Sequence, residues 1–158
     1  MEFMTLKLIF KQVFGALILC SSAQLMAAQV QLTDGFIRAM PPSVPNSAAY
    51  LTLKNEGDAT ELVAVETPVA REAQLHTLIE EKGVVKMRQV SGFALPLAGE
   101  LALSPSGDHI MLLGLNRPLN EGEHIELTLI FADGSKQSVQ LPVRKDDGQA
   151  QHHHHNHH

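Results

Sequence analysis

The stretch Glu123-His124-Ile125-Glu126-Leu127-Thr128-Leu129-Ile130-Phe131, closed by Asp133-Gly134 and followed by a second alternating run over 137–144, decides the fold. Polar side chains at 124, 126 and 128 alternate with apolar ones at 125, 127 and 129. A period of two puts each set on one face of a strand. Asp-Gly between two such runs is a hairpin signal. Working outward, the same short alternation recurs over 31–39, 48–55, 60–66, 72–78, 84–90, 99–103 and 108–114. Turn residues punctuate it at Asn55-Glu56-Gly57-Asp58, Lys82-Gly83 and Pro105-Ser106-Gly107-Asp108. No stretch of helical period competes. Many short strands at regular spacing predict an all-β, single-domain Greek-key sandwich or barrel.

That domain is expected over 29–145. Residues 1–28 read as a signal peptide: Lys7 and Lys11, then the apolar run Val13-Phe14-Gly15-Ala16-Leu17-Ile18-Leu19-Cys20, then small residues to Ala27-Ala28. The apolar run is too short for a spanning helix of ~20 residues. Cleavage is placed after Ala28, with Ser21-Ser22-Ala23 as a second small-x-small site. Leu19 stands where a lipobox wants a small residue, so soluble export is favoured over a lipid anchor at Cys20. The expected address is the periplasm, with no stable membrane insertion.

Cys20 is the one cysteine, so the mature chain has neither disulfide nor thiolate. Without Glu2, Lys7 and Lys11 it carries 16 acidic and 10 basic residues, a net charge near −6. That balance argues against nucleic acid, which calls for a basic patch.

Between the leader and the C-terminal tail there are three histidines and three methionines. Four of the six are regularly placed: His76, Met87, His109 and Met111. Imidazole and thioether together suit soft Cu(I) better than hard cations. His109 and Met111 are two apart in a predicted strand and therefore share a face, while Ile110 and Leu112 point into the core. His76 and Met87 flank a predicted hairpin around Glu80-Glu81-Lys82-Gly83. With Glu81-Lys82 as the two-residue tip, 76 pairs directly with 87, their Cβ atoms ~5 Å apart. A four-residue loop gives the same register, whereas a three-residue loop without a compensating bulge would pair 76 with 88 and turn Met87 to the wrong face. The two pairs together would form an N2S2 set without ligand charge, favouring Cu(I) over Cu(II) and over Zn(II). Singly, each methionine reads as core filler and each histidine as a surface or hydrogen-bonded residue. Their joint spacing is what lifts them out of that reading. His124 reads as solvent-facing, Asp108 and Glu126 as surface carboxylates. Met40, in the proline-rich loop 40–46, is a candidate cover for the site or an exposed residue.

The spacing His-x10-Met-x21-His-x-Met formed by His76, Met87, His109 and Met111 resembles the signature of the periplasmic PCu(A)C copper chaperones. The segment from Ala39-Met40-Pro41-Pro42 through Asn46-Ser47-Ala48-Ala49-Tyr50 to Asn55 is similar to that family's early region. The resemblance covers about residues 30–144. It implies a cupredoxin-like sandwich holding Cu(I) near its surface and passing it to the CuA centre of cytochrome oxidase, alone or beside Sco-type thiol proteins. A monomer is expected.

The last segment, 146–158, is expected to be flexible. Six of its final seven residues are histidine: His152, His153, His154, His155, His157 and His158, interrupted by Asn156. Such a run chelates Cu(II), Ni(II) or Zn(II), and reads equally as an affinity tag or as a native second metal site.

The leading expectation is a copper carrier. A copper-sequestering resistance protein would use the same ligands, and a metal-free sandwich serving as an interaction module is the third reading. No Ser/His/Asp arrangement, phosphate-cradling glycine loop or thiol points to an enzyme. A blue-copper electron carrier would need a cysteine.

Overall fold

The computed structural model describes residues 29–146. The expected leader and the histidine run lie outside the described residues. Among the described residues there are ten strands: β1 (Val30–Arg38), β2 (Asn46–Asn55), β3 (Thr60–Glu66), β4 (Ala70–Glu81), β5 (Val84–Gln89), β6 (Phe93–Leu95), β7 (Glu100–Ala102), β8 (His109–Leu115), β9 (His124–Phe131) and β10 (Lys136–Arg144). The nine expected strands are all there, shifted by a few residues at their ends. β6 is the addition. Its three residues alternate buried, exposed, buried, too short a run to show a period.

The strands run in the order β5-β4-β8-β2-β1-β10-β9-β3-β6, with β7 pairing β2. Two arms are visible in that order. One is antiparallel from β5 to β1, the other from β10 to β6. A short parallel pairing joins them, Ile37 opposite Val143 and Arg38 opposite Arg144. Apolar side chains from both arms meet in one core, including Leu51, Leu53, Ile110 and Leu112 from the first and Leu62, Leu127, Leu129 and Leu141 from the second. The all-β, single-domain sandwich expected from the alternation is therefore what the chain forms.

β9 shows why. Its residues alternate exposed or half-exposed and buried, with Ile125, Leu127, Leu129 and Phe131 all inside. His124 is exposed, as expected. Among the described residues three polar side chains are buried, Ser47, Asn55 and His109, and Asn55 lies deepest. Asn55, 1% exposed, donates from Nδ2 to the carbonyls of Asp58 and Pro96, and its Oδ1 accepts from the Gly57 amide. Buried amides are tolerated when so satisfied, and here one side chain ties the end of β2 to two loops.

Candidate metal centre

Strands β4, β8 and β5 lie side by side. Their faces away from the core carry the four residues singled out by spacing. On β8, Ile110 and Leu112 are wholly buried in the core, which turns His109 and Met111 to the opposite face. On β4, His76 stands directly opposite His109, and Gln74 opposite Met111. The two imidazole rings are 5.8 Å apart between centroids.

Met87 departs from its expected register. His76 pairs with Gln89, and Met87 with Leu78. The hairpin tip is Lys82-Gly83, both with positive φ (54° and 77°), one residue later than expected. A two-residue turn of this handedness needs left-handed backbone at both tip positions. Gly83 adopts it without a Cβ penalty, so the tip settles on the glycine. A one-residue move of the tip shifts the register by two, and a shift of two preserves the face. Met87 thus stays on the His76 side, as a diagonal neighbour. Diagonal positions lie ~7–8 Å apart, within reach of long side chains.

The four side chains differ in exposure. His109 is 4% exposed, His76 and Met111 are half-buried, and Met87 is 51% exposed. Every residue of β5 faces solvent. The histidines sit inside the sheet face and Met87 marks its open edge. Met40 lines a small cavity with Arg38, Val44, Leu115 and Leu119, and none of the four spaced residues lines that cavity.

Three neighbours were not anticipated. Gln74 Oε1 accepts from His76 Nε2 at 2.8 Å, and Gln74 Nε2 donates to Glu72 Oε1 at 2.6 Å. The Gly107 carbonyl accepts from His109 Nδ1 at 2.9 Å. Tyr50, buried on β2, places its ring 6.4 Å from that of His109 and carries the Arg38 guanidinium 5.2 Å from its centroid. Burial pushes the Tyr50 phenol up, with the Arg38 charge opposing. Gln74 was legible in principle, since it lies two before His76 on one strand and so shares its face. The Gly107 and Tyr50 contacts depend on long-range pairing.

The hydrogen bonds leave one nitrogen bare on each ring. His76 Nδ1 and His109 Nε2 are buried and have no hydrogen-bond partner. Buried polar atoms are seldom left so. A pair of neutral imidazoles with free lone pairs is what a metal ion requires of histidine. Among the described residues no group of three or more His, Cys, Asp or Glu is placed to hold a metal. The donors at hand are two imidazoles and two thioethers, a set that fits a soft monovalent ion better than Zn(II) or Ca(II).

His76 titrates below the ordinary imidazole value of 6.5, first because burial disfavours its charged form and second because His109 stands beside it. An unfolded chain takes this proton near pH 6.5; the folded one resists until lower pH. The stability contribution is therefore present above pH 6.5 and lost as pH falls through the depressed value. The thermal midpoint of metal-free protein should drop between pH 7 and 5, and His76→Gln should flatten that drop. An unchanged slope in the variant would place the acid sensitivity at other residues.

Comparison with known proteins gives three kinds of likeness. Residues 30–143 match the LpqE-like lipoprotein family. A protein of Leifsonia xyli subsp. xyli whose name marks it as a lipoprotein is 37% identical over 121 residues, covering 75% of this chain and 72% of that one. The solution structure of CuI-DR1885 from Deinococcus radiodurans is 36% identical, covers 80% of this chain and 85% of the other, and superposes with a TM-score of 0.61. The apo PCuAC domain from PmoF1, 21% identical, covers 74% and 94% with a TM-score of 0.62, a likeness of fold.

Proposed function

The chain belongs to the LpqE-like family, and from that premise we propose that it is an exported, envelope-associated carrier of Cu(I), held by His76, Met87, His109 and Met111 as cargo. The observation that carries this reading is the pair of buried imidazole nitrogens without partners, on a sheet face that also bears two thioethers. The CuI-DR1885 structure, of a relative 36% identical, supports the choice of ion. Thioether suits an exported carrier because it needs no deprotonation and forms no disulfide.

The same ligands could store copper or pass it on. The exposure of Met87 at the sheet edge favours passing it on, since an accepting protein can reach that sulfur while the histidines stay covered. The proposed client is a copper-accepting site such as the CuA centre of cytochrome oxidase, directly or beside a Sco-type protein. The histidine tail is proposed as a separate Cu(II) trap. The lipoprotein names of the family and of the Leifsonia relative support export to the envelope. The mass of the mature N-terminus would separate cleavage after Ala28 from a lipid on Cys20.

The deciding experiment is Cu(I) titration against a competing chelator, using a chain from 29 to 150 so that the tail is absent. One equivalent should bind, with both nitrogen and sulfur neighbours by X-ray absorption. No uptake would favour the metal-free interaction module. Uptake without transfer to an apo CuA site would favour storage.

A further inference from the structure

We infer that Gln74, oriented by Glu72, is a positioning residue that fixes which nitrogen His76 offers, so that Cu(I) meets Nδ1 of His76 but Nε2 of His109. This deepens the copper reading proposed above and rests on it for the identity of the ion.

The argument runs along β4. Glu72, Gln74 and His76 are spaced by two and occupy one face, opposite Leu113, Met111 and His109 of β8. An ionised carboxylate only accepts hydrogen bonds. The 2.6 Å contact from Gln74 Nε2 to Glu72 Oε1 therefore settles which end of the amide faces which neighbour. Its NH2 faces Glu72 and its oxygen faces His76. That oxygen is also only an acceptor, so the 2.8 Å contact requires the proton of a neutral His76 on Nε2. The lone pair is left on Nδ1, the atom found buried without a partner.

On β8 the reverse holds. The Gly107 carbonyl can only accept, so the His109 proton sits on Nδ1. The lone pair then falls on Nε2, again the atom without a partner. Two adjacent histidines are thus set in opposite tautomers, one by a side-chain relay and one by the backbone. Outer hydrogen bonds of this kind orient a ligating imidazole and raise its basicity. Gln74 has a second lever, because its cross-strand partner is Met111; the same side chain borders both an imidazole and a thioether.

The test uses long-range ¹H–¹⁵N correlation of the imidazoles in metal-free mature protein at pH 8. His76 should show a pyridine-type Nδ1 and a pyrrole-type Nε2, and His109 the opposite. Cu(I) is diamagnetic, so the same spectrum can be read after loading, when His76 Nδ1 and His109 Nε2 should be the nitrogens that shift. Gln74→Leu should average the His76 tautomers and weaken Cu(I) binding about 10-fold, at the low end for an outer hydrogen bond. Gln74→Glu keeps an acceptor and should restore the Nε2–H form. A wild-type His76 protonated on Nδ1 overturns the inference even if Gln74→Leu fails to fold, as does a His76 spectrum unaltered by Gln74→Leu. Copper uptake with the wrong tautomer sinks the relay alone. The expected tautomers without copper uptake sink the ion and leave the relay standing.

Discussion

Loss of both thioethers in the double variant Met87→Leu, Met111→Leu should lower Cu(I) affinity by at least about 100-fold, beyond the roughly 10–100-fold that an outer hydrogen bond commands. The two histidines would remain, but imidazole alone is a poorer match for a soft ion. The metal-free protein should fold as before. Met87 is 51% exposed, and exposed substitutions usually change stability by about ±0.5 kcal/mol. Met111 is half-buried, and a swap to leucine of similar volume costs less than ~1.5 kcal/mol. Competitive Cu(I) titration and calorimetry on the same samples check both halves. A thermal midpoint that collapses in the metal-free state would show that the sulfurs serve packing instead.

Ile110→Ala is expected to do the opposite. Ile110 is 0% exposed and lies between His109 and Met111 on β8. Truncating a fully buried isoleucine costs about 2–5 kcal/mol, through lost transfer energy and the cavity left behind. A domain of this kind has a total of about 5–15 kcal/mol, so urea denaturation should show a large drop in midpoint. The variant protein that remains folded should still bind Cu(I), because no ligand is touched. Loss of copper binding out of proportion to unfolding would mean that the strand's two faces are not independent. On this reading neighbouring residues of one strand would divide the work: the proposed ligands at 109 and 111 face away from the core, and Ile110 and Leu112 hold the sheet.

Alternation made the architecture readable. Period alone puts Ile125, Leu127 and Leu129 on one face of a strand, and each is buried. The division of β8 into a core face at Ile110 and Leu112 and an opposite face at His109 and Met111 was equally legible, because it is a property of one strand. Three residues of β6 were too few for any pattern to show.

The pairing of His76 was harder. The sequence places a turn near Lys82-Gly83 but does not state which two residues form its tip, and each one-residue choice moves the partner by two. Left-handed backbone at Gly83 decides it. The face survived because two is the sheet's own repeat. The direct apposition of His76 and His109 was not legible, since it links strands 33 residues apart in sequence with no local constraint between them. The face of Gln74 is legible from its spacing to His76, but its hydrogen-bonding role is not, for a chemical reason. A glutamine on a polar face is unremarkable until the orientation of its amide is known, and Glu72 supplies that orientation only in the folded strand.

The parallel contact of Ile37–Arg38 with Val143–Arg144 sets an order of events. A polypeptide emerging N-terminus first, from a ribosome or through a translocation pore, cannot make that contact until nearly the whole domain has emerged. Strands β4, β5 and β8 are out long before, with both imidazoles and both sulfurs on them. The seam between first and last strands must therefore wait for the C-terminal strand, and a nascent chain cut short of β10 would carry its imidazoles and thioethers on a sheet whose first strand lacks that partner.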